Sequence, residues 1–161
     1  MDTSARTPQV ERFLRQAIDL AAANVTQRRG RPFGAVLVKD DRVIATGVNE
    51  VEATGDPTAH AELQAIRAAS RVLASPRLDG CVMYASGHPC PMCLSAMYLT
   101  GVSAVYCAFS IEAAEPYGLS TAAIYSQLAK PADQRALEVR CIRVCDAAEL
   151  YGRWLKQGGR A

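Results

Sequence analysis

The spacing of hydrophobic positions predicts a helix near the N-terminus, followed by a β-hairpin. Between residues 9 and 27, apolar side chains recur every three or four positions, as on one face of an α-helix. These side chains are Val10, Phe13, Leu14, Ala17, Ile18, Ala21 and Val25. The polar stretch "RRGRP" ends the helix, and two apolar runs, "FGAVLVKD" and "RVIATGVN", are typical of strands. Asp40 and Asp41, between the two runs, predict a tight turn.

Further along the chain, helical patterns alternate with short apolar runs. Four helices are predicted, at residues 58–74, 91–100, 120–129 and 146–156. Three further strands are predicted, at "CVMYAS", "AVYCAF" and "ALEVRCIRV". The helix between the last two strands favours a parallel crossover, whereas the hairpin is antiparallel. We therefore expect a single α/β domain over residues 1–161, with a mixed five-stranded sheet between two helical layers in a three-layer α/β/α arrangement.

The composition is that of an ordinary globular protein and excludes few functions. Half of the 161 residues are apolar, and the net charge is +2. No apolar run approaches the roughly 20 residues that cross a bilayer, and the N-terminus lacks the features of a signal peptide. We therefore expect a cytoplasmic protein with reduced cysteines and no membrane partner. The small charge argues against nucleic-acid binding, and Arg28, Arg29 and Arg31 are interpreted as a solvated surface turn.

Two closely spaced cysteines suggest a metal site. Cys90 and Cys93 form a C-x-x-C pair, and Pro91 is typical of the first position of a helix. Free N–H groups at the start of that helix favour thiolates, which bind zinc. A redox-active pair is the alternative, but a thioredoxin-like pair follows the first strand of a βαβ unit, and this pair follows the third predicted strand.

The third candidate ligand is His60, which forms an H-x-E motif with Glu62. H-x-E together with P-C-x-x-C is the signature of zinc-dependent deaminases. His60, Cys90 and Cys93 would leave a fourth tetrahedral position for water, as a catalytic zinc requires. Two alternatives remain open: His60 and Glu62 could serve only the start of their helix, or His88 could complete a closed structural Cys₂His₂ site.

The chain resembles the cytidine deaminase superfamily, and more narrowly bacterial guanine deaminases and related nucleobase and nucleoside deaminases. The similar stretches are "PFGAVLVKD", "GDPTAHAELQAIRAA", "HPCPMCLSAMY" and "IEAAE", within residues 30–130. The resemblance implies a cytidine-deaminase-like fold and a homodimer or larger oligomer. It also implies that Zn²⁺ is held by His60, Cys90 and Cys93, with Glu62 as the proton shuttle.

The resemblance further implies substrate contacts, and the chain departs from the family at several of them. Asn49 matches an asparagine that hydrogen-bonds the base, and Phe33 matches an aromatic residue that packs against it. Guanine deaminases usually carry acidic residues in a "GFDD"-like stretch, where this chain has Ser120 and Thr121. The candidates to replace that acid are Glu115 and a carboxylate from the C-terminal region. The family's terminal aromatic residue is also missing, since the chain ends "KQGGRA", and His88 stands where glutamate is common.

These features predict a zinc-dependent aminohydrolase that removes an amino group from a free nucleobase or nucleoside and releases ammonia. A guanine-type 2-aminopurine is the expected substrate. The alternatives are a tRNA-specific adenosine deaminase, a cytosine or aminotriazine deaminase, and a non-enzymatic module with structural zinc.

Overall fold

The computed structural model describes residues 7–144 and 147–158, and the chain divides into two units, Met1–Ser126 and Gln127–Ala161. The first unit contains α1 (Pro8–Thr26), β1 (Gly34–Lys39), β2 (Arg42–Val48), α2 (Val51–Thr54), α3 (Ala61–Val72), β3 (Val82–Gly87), α4 (Pro91–Thr100), β4 (Ala104–Phe109) and α5 (Ile111–Ala114). Helix α6 (Ala122–Ala129) crosses the boundary, and α7 (Ala147–Lys156) lies in the second unit.

The strands of the first unit form one mixed sheet in the order β2-β1-β3-β4. β1 pairs antiparallel with both β2 and β3, and β3 pairs parallel with β4. The predicted hairpin is present, with Lys39 opposite Arg42. Asp40 and Asp41 both have positive φ, 47° and 60°, as a type I′ turn requires. This turn brings the end of β2 beside the start of β1.

Both faces of the sheet are covered by helices, as predicted. Alternate residues of a strand point to opposite faces, so Ala35 and Leu37 face one layer and Val36 and Val38 face the other. The first pair packs with residues of α3 and α4, and the second pair packs with α1. The first unit is therefore a three-layer α/β/α structure.

A glycine in β2 lets α3 approach the sheet closely. A Cβ at Gly47 would collide with the carbonyl oxygen of Ala61 and would lie 2.6 Å from the backbone nitrogen of Ala65. Only a residue without a side chain fits this crossing. The first turn of α3 is thereby held against β2. His60 and Glu62 lie at this end of the helix.

The prediction of a fifth strand is wrong in the part of the chain that the structure describes. Residues 136–144 form no regular secondary structure and pair with none of the described strands, so the sheet has four strands. Alternating apolar residues indicate that a strand would have one apolar face. They do not show that a neighbouring strand has an edge free to form the backbone hydrogen bonds. Leu137 and Val139 are 78% and 76% exposed.

The last predicted helix is present as α7, and it ends at Lys156 as expected. Asp146, the first residue of the predicted helix, lies outside the described residues. Several large apolar side chains of α7 are exposed, namely Leu150, Tyr151, Trp154 and Leu155. Among the helices of the described ranges, none is both long and apolar enough to span a bilayer.

Candidate active site

The starts of two helices bring the predicted metal ligands together. His60 is the N-cap residue of α3, Cys90 is the N-cap residue of α4, and Cys93 lies in the first turn of α4. Pro91 occupies the first turn of α4, as the sequence predicts. Neither N-cap side chain caps its own helix by a hydrogen bond to a backbone N–H group. Both side chains therefore face each other across the gap between the helices.

The three side chains form a compact cluster with the dimensions of a zinc site. Nδ1 of His60 lies 3.4 Å from Sγ of Cys90 and 3.6 Å from Sγ of Cys93, and the two Sγ atoms are 3.5 Å apart. Zinc–sulfur and zinc–nitrogen bonds of about 2.3 and 2.0 Å, in a tetrahedron, place such ligand atoms about 3.5–3.8 Å apart. The donor set and its spacing therefore fit a zinc ion with three protein ligands.

The cluster favours a negative charge on Cys90. The hydrogen bond between the sulfur atoms of Cys90 and Cys93, with a further contribution from His60, lowers the pKa of Cys90 to about 4. That same hydrogen bond, together with burial, raises the pKa of Cys93. The hydrogen bond with Cys90 raises the pKa of His60. One thiolate is thus available to a cation before any ligand proton has been displaced.

Glu62 lies beside the cluster without being part of it. Its side chain is buried, with 6% of the residue exposed, and burial raises the pKa of its carboxyl group. Oε2 of Glu62 accepts a hydrogen bond from the Cys93 thiol at 3.5 Å. The cluster of potential ligands in the described ranges contains His60, Cys90 and Cys93 only. A buried carboxyl group therefore stands next to the three candidate ligands.

Residues two apart on a helix point to different sides, so the sequence alone does not explain why His60 and Glu62 converge. The structure supplies the reason. His60 is not yet helical: its backbone is extended, with φ −75° and ψ 151°. Glu62 is the second residue of α3. The turn between an extended N-cap and the first helical residues directs both side chains toward α4.

His88 does not join the cluster. Its Nδ1 lies 2.9 Å from the carbonyl oxygen of Pro89, and its ring packs edge-on against Tyr125, with 5.8 Å between centroids. The hydroxyl of Tyr125 donates a 2.7 Å hydrogen bond to the same carbonyl oxygen. Tyr125 is not among the site residues predicted from the sequence. Its only signal was a hydroxyl-bearing aromatic side chain in a segment of small residues.

The predicted substrate residues Asn49 and Phe33 are neighbours. Asn49 is 1% exposed, and its backbone N–H donates to the carbonyl oxygen of Phe33 at 3.1 Å. Its Oδ1 accepts a 3.3 Å hydrogen bond from the N–H of Val51. The ring of Phe33 packs against Gly87, one residue before His88. Both residues lie within the first unit, near the segment that carries Cys90.

A cavity of about 610 Å³ adjoins this region. Phe33 and His88 line it, whereas the three ligand residues do not. Much of the remaining wall is apolar, and its hydroxyl groups belong to Thr26, Ser86, Ser110, Tyr117, Ser120 and Thr121. No carboxylate of the described residues lines the cavity. Glu115 is exposed, in the 3₁₀ turn that follows α5.

Comparison with known proteins relates the chain to deaminases. Residues 7–109 match the family model of the cytidine and deoxycytidylate deaminase zinc-binding region. The chain is 41% identical over 144 residues to guanine deaminase of Bacillus subtilis, covering 89% of this chain and 92% of that protein. The crystal structure of guanine deaminase from Bacillus subtilis matches with a TM-score of 0.85 at 40% identity, covering 91% of this chain and 93% of that one.

Two further relatives share less of their length with this chain. A tRNA-specific adenosine deaminase of Aquifex aeolicus is 39% identical over 95 residues, 59% of this chain and 62% of that protein. Guanine deaminase from Nitrosomonas europaea matches with a TM-score of 0.65 at 29% identity, covering 71% of this chain and 65% of that one. With the family model matching well over half of its residues, the chain belongs to the cytidine and deoxycytidylate deaminase family and is a hydrolytic nucleobase deaminase.

Proposed function

We propose that this chain binds zinc and hydrolyses the bond between the amino group and the ring carbon of a guanine-type 2-aminopurine, releasing ammonia. The observation that carries the proposal is the cluster of His60, Cys90 and Cys93 with the carboxyl group of Glu62 beside it. The 41% identity to a guanine deaminase, over 89% of this chain, supports a purine substrate.

The chemistry divides between the metal and the side chains. A zinc ion held by His60, Cys90 and Cys93 would act as a Lewis acid and would lower the pKa of water to about 7. Glu62 accepts a proton from the attacking water, donates it to the ring nitrogen and then assists the departure of ammonia. Burial raises the pKa of the Glu62 carboxyl group, which favours its proton-carrying form. His60, Cys90 and Cys93 hold their positions throughout.

The base is bound by Asn49 and Phe33 in this proposal. The amide of Asn49 hydrogen-bonds the polar edge of the purine, and the Phe33 ring packs on its face. The hydrogen bond between their backbones, 3.1 Å from N of Asn49 to O of Phe33, supports their acting together. Ser120 and Thr121 line the neighbouring cavity where an acid would be expected, so hydroxyl groups take over that contact. Glu115 remains a predicted substrate residue, although its side chain is exposed.

An ammonia-release assay with the zinc-loaded protein tests the proposal. Guanine, guanosine, adenine, cytosine and an aminotriazine are compared at equal concentration. We expect the largest kcat/KM for guanine. A clear preference for cytosine or the triazine would overturn the substrate class and leave the hydrolytic chemistry in place. Release of ammonia from none of them would overturn the proposed function.

A tRNA-specific adenosine deaminase is the second candidate, favoured by the 39% identity to the Aquifex aeolicus protein. The net charge of +2 and the isolated exposed group of Arg28, Arg29 and Arg31 give little support for phosphate binding. The two candidates differ in salt dependence, because neutralising several phosphates makes affinity fall steeply with salt. Deamination of an RNA stem-loop faster than of free guanine, with a steep salt dependence, would favour the second candidate.

We also propose that the chain works as a homodimer in the reducing cytoplasm. Helix α4 is apolar on nearly all sides, yet Tyr98 and Leu99 are 79% and 78% exposed. Phe109, at the end of β4, is 55% exposed. A second copy of the chain packed on these residues would remove apolar surface from water. Sedimentation equilibrium is expected to give twice the mass of one chain, and a charged substitution of Leu99 should weaken the association. The cytoplasm suits the two thiols that the metal requires.

A further inference from the structure

Helix α1 carries one polar residue on its buried face. Phe13, Ala17 and Ala21 follow one another at helical spacing and are 3%, 0% and 6% exposed. The next position on this face is Asn24, which is 2% exposed. The pattern that predicts the helix would place an apolar residue there. Asn24 therefore needs an explanation beyond the packing of α1.

The amide of Asn24 bonds two backbone carbonyl groups from different segments. Its Nδ2 donates to the carbonyl oxygen of Arg31 at 3.0 Å and to that of Asn49 at 2.9 Å. Both hydrogens of the amide are used in this way. A flipped amide would place Oδ1 against two carbonyl oxygens, so these contacts determine the orientation of the side chain. Residues 31 and 49 are thereby joined through α1.

The oxygen atom of the Asn24 amide does not stabilise the folded protein. Oδ1 of Asn24 is buried, and it has no hydrogen-bond partner among the described residues. A buried acceptor without a partner destabilises the folded state. Leucine, of similar size, would avoid this penalty at the same position. The role of Asn24 therefore lies in its two donors.

Those donors hold the two segments that carry the proposed base-binding residues. The carbonyl oxygen of Arg31 also accepts from the N–H of Phe33 at 2.7 Å, and the N–H of Asn49 donates to the carbonyl oxygen of Phe33. Gly30 tightens the same arrangement, because a Cβ there would collide with the carbonyl oxygen of Asn49 and lie 3.1 Å from its Oδ1. Asn24 thus completes a closed set of hydrogen bonds around Phe33 and Asn49.

We propose that Asn24 is a positioning residue that sets Asn49 and Phe33 in the geometry that binds the base. This rests on the proposed function, in which those two residues contact the substrate. The hydrogen bonds of Asn24 in the described structure run to Arg31 and Asn49, and not to the cluster of His60, Cys90 and Cys93 or to Glu62. Its loss should therefore weaken substrate binding and leave the metal site and the chemical step intact.

A double-mutant cycle with guanine as substrate tests this proposal. Asn24→Leu removes both donors at nearly constant size. We expect KM to rise about tenfold or more, kcat to stay within about threefold, and zinc content to remain unchanged. In an Asn49→Ala background the same change should lower kcat/KM by a clearly smaller factor than in the wild type, because one of the two side chains that Asn24 positions is gone. Additive effects of the two substitutions, or a fall confined to kcat, would overturn the proposal.

Two controls separate positioning from a general loss of stability. Phe13→Leu weakens the same buried face of α1 without touching Arg31 or Asn49, and it should lower the melting temperature with KM unchanged. Gly30→Ala disturbs Asn49 without altering the helix and should raise KM as Asn24→Leu does. This second variant decides the question if Asn24→Leu fails to fold. An unchanged KM in Gly30→Ala would then contradict the proposal.

Amide hydrogen exchange gives a readout that does not depend on turnover. In Asn24→Leu, or in Gly30→Ala if the first does not fold, the peptide containing residues 47–51 should exchange faster, while peptides of β3 keep wild-type protection. Unchanged exchange at residues 47–51 would overturn the positioning role. If wild-type protein releases ammonia from no base, the proposed function fails, and exchange still decides whether Asn24 holds Asn49.

Discussion

Oε2 of Glu62 and Sγ of Cys93 lie 3.5 Å apart, although 31 positions separate the two residues in the chain. The contact joins the first turn of α3 to the first turn of α4. It puts a buried carboxyl group against a metal ligand while leaving it outside the ligand cluster. If Glu62 transfers protons as proposed, its substitution should remove that step and leave metal binding intact.

Glu62→Gln is expected to keep zinc and fold but to lose nearly all turnover. Glutamine preserves the size of the side chain but cannot accept and return a proton, and a positioned acid–base group contributes roughly 10²–10⁴-fold. Ammonia release and zinc content per chain are the measurements. Glu52→Gln, on the exposed side of α2, is the matched control and should match the wild type in both. A wild-type rate in Glu62→Gln would exclude the assigned role.

Removing the metal is expected to destabilise the first unit. The three ligands join α3 to α4, and a ligand that binds only the folded state stabilises it by about 2.7 kcal/mol at 100 times its Kd. Chelation should therefore lower the melting temperature of wild-type protein. Without chelator, Cys90→Ser should already melt at the lower temperature of chelated wild-type protein. Adding chelator should change its melting temperature little. Cys141→Ser, which changes an exposed cysteine outside the cluster, should behave as the wild type does.

His88→Ala is expected to retain one zinc ion per chain. The side chain contacts the carbonyl oxygen of Pro89 and the ring of Tyr125, and it does not face the cluster. Its loss should alter the wall of the cavity and so raise KM more than it lowers kcat. Metal analysis of the purified variant checks the first expectation. Loss of zinc on this substitution would instead support a closed site with four protein ligands.

The helix that carries the cysteines shows how far local chemistry predicts structure. The sequence predicts α4 at residues 91–100, and the structure gives Pro91–Thr100. Pro91 suits the first turn, and Gly101 adopts φ 79°, a conformation that glycine takes at no steric cost. Both ends are thus determined by single residues. The fifth strand was predicted from alternation alone, and alternation does not identify the edge on which a strand must pair.

The site shows the same division between local and long-range information. The residue types and spacing of His60, Cys90 and Cys93 predict a metal cluster, and the structure brings these three side chains together. The sequence could not reveal that Glu62 reaches Cys93, since that depends on how α3 packs against β2 and α4. Asn24 was missed because its partners are backbone carbonyl groups, which leave no trace in a sequence pattern.

Introducing an acid at the cavity wall tests what replaces the family's acidic stretch. Ser120 and Thr121 line the cavity, and no carboxylate of the described residues does. Hydrogen bonds to a charged group contribute about 1.5–3 kcal/mol, which corresponds to roughly 10–100-fold in kcat/KM. Thr121→Asp should therefore raise kcat/KM for guanine, which has a ring N–H donor beside its amino-bearing carbon, relative to adenine, in which the ring nitrogen at that place carries no hydrogen. Ser120→Asp is measured in parallel, because either position can correspond to the acid.

Ala123→Asp adds the same charge on an exposed position of α6 that does not line the cavity and should leave the preference unchanged. If neither cavity variant changes the ratio of the two kcat/KM values, this wall does not contact the donor edge of the base, and Glu115 becomes the next position to substitute.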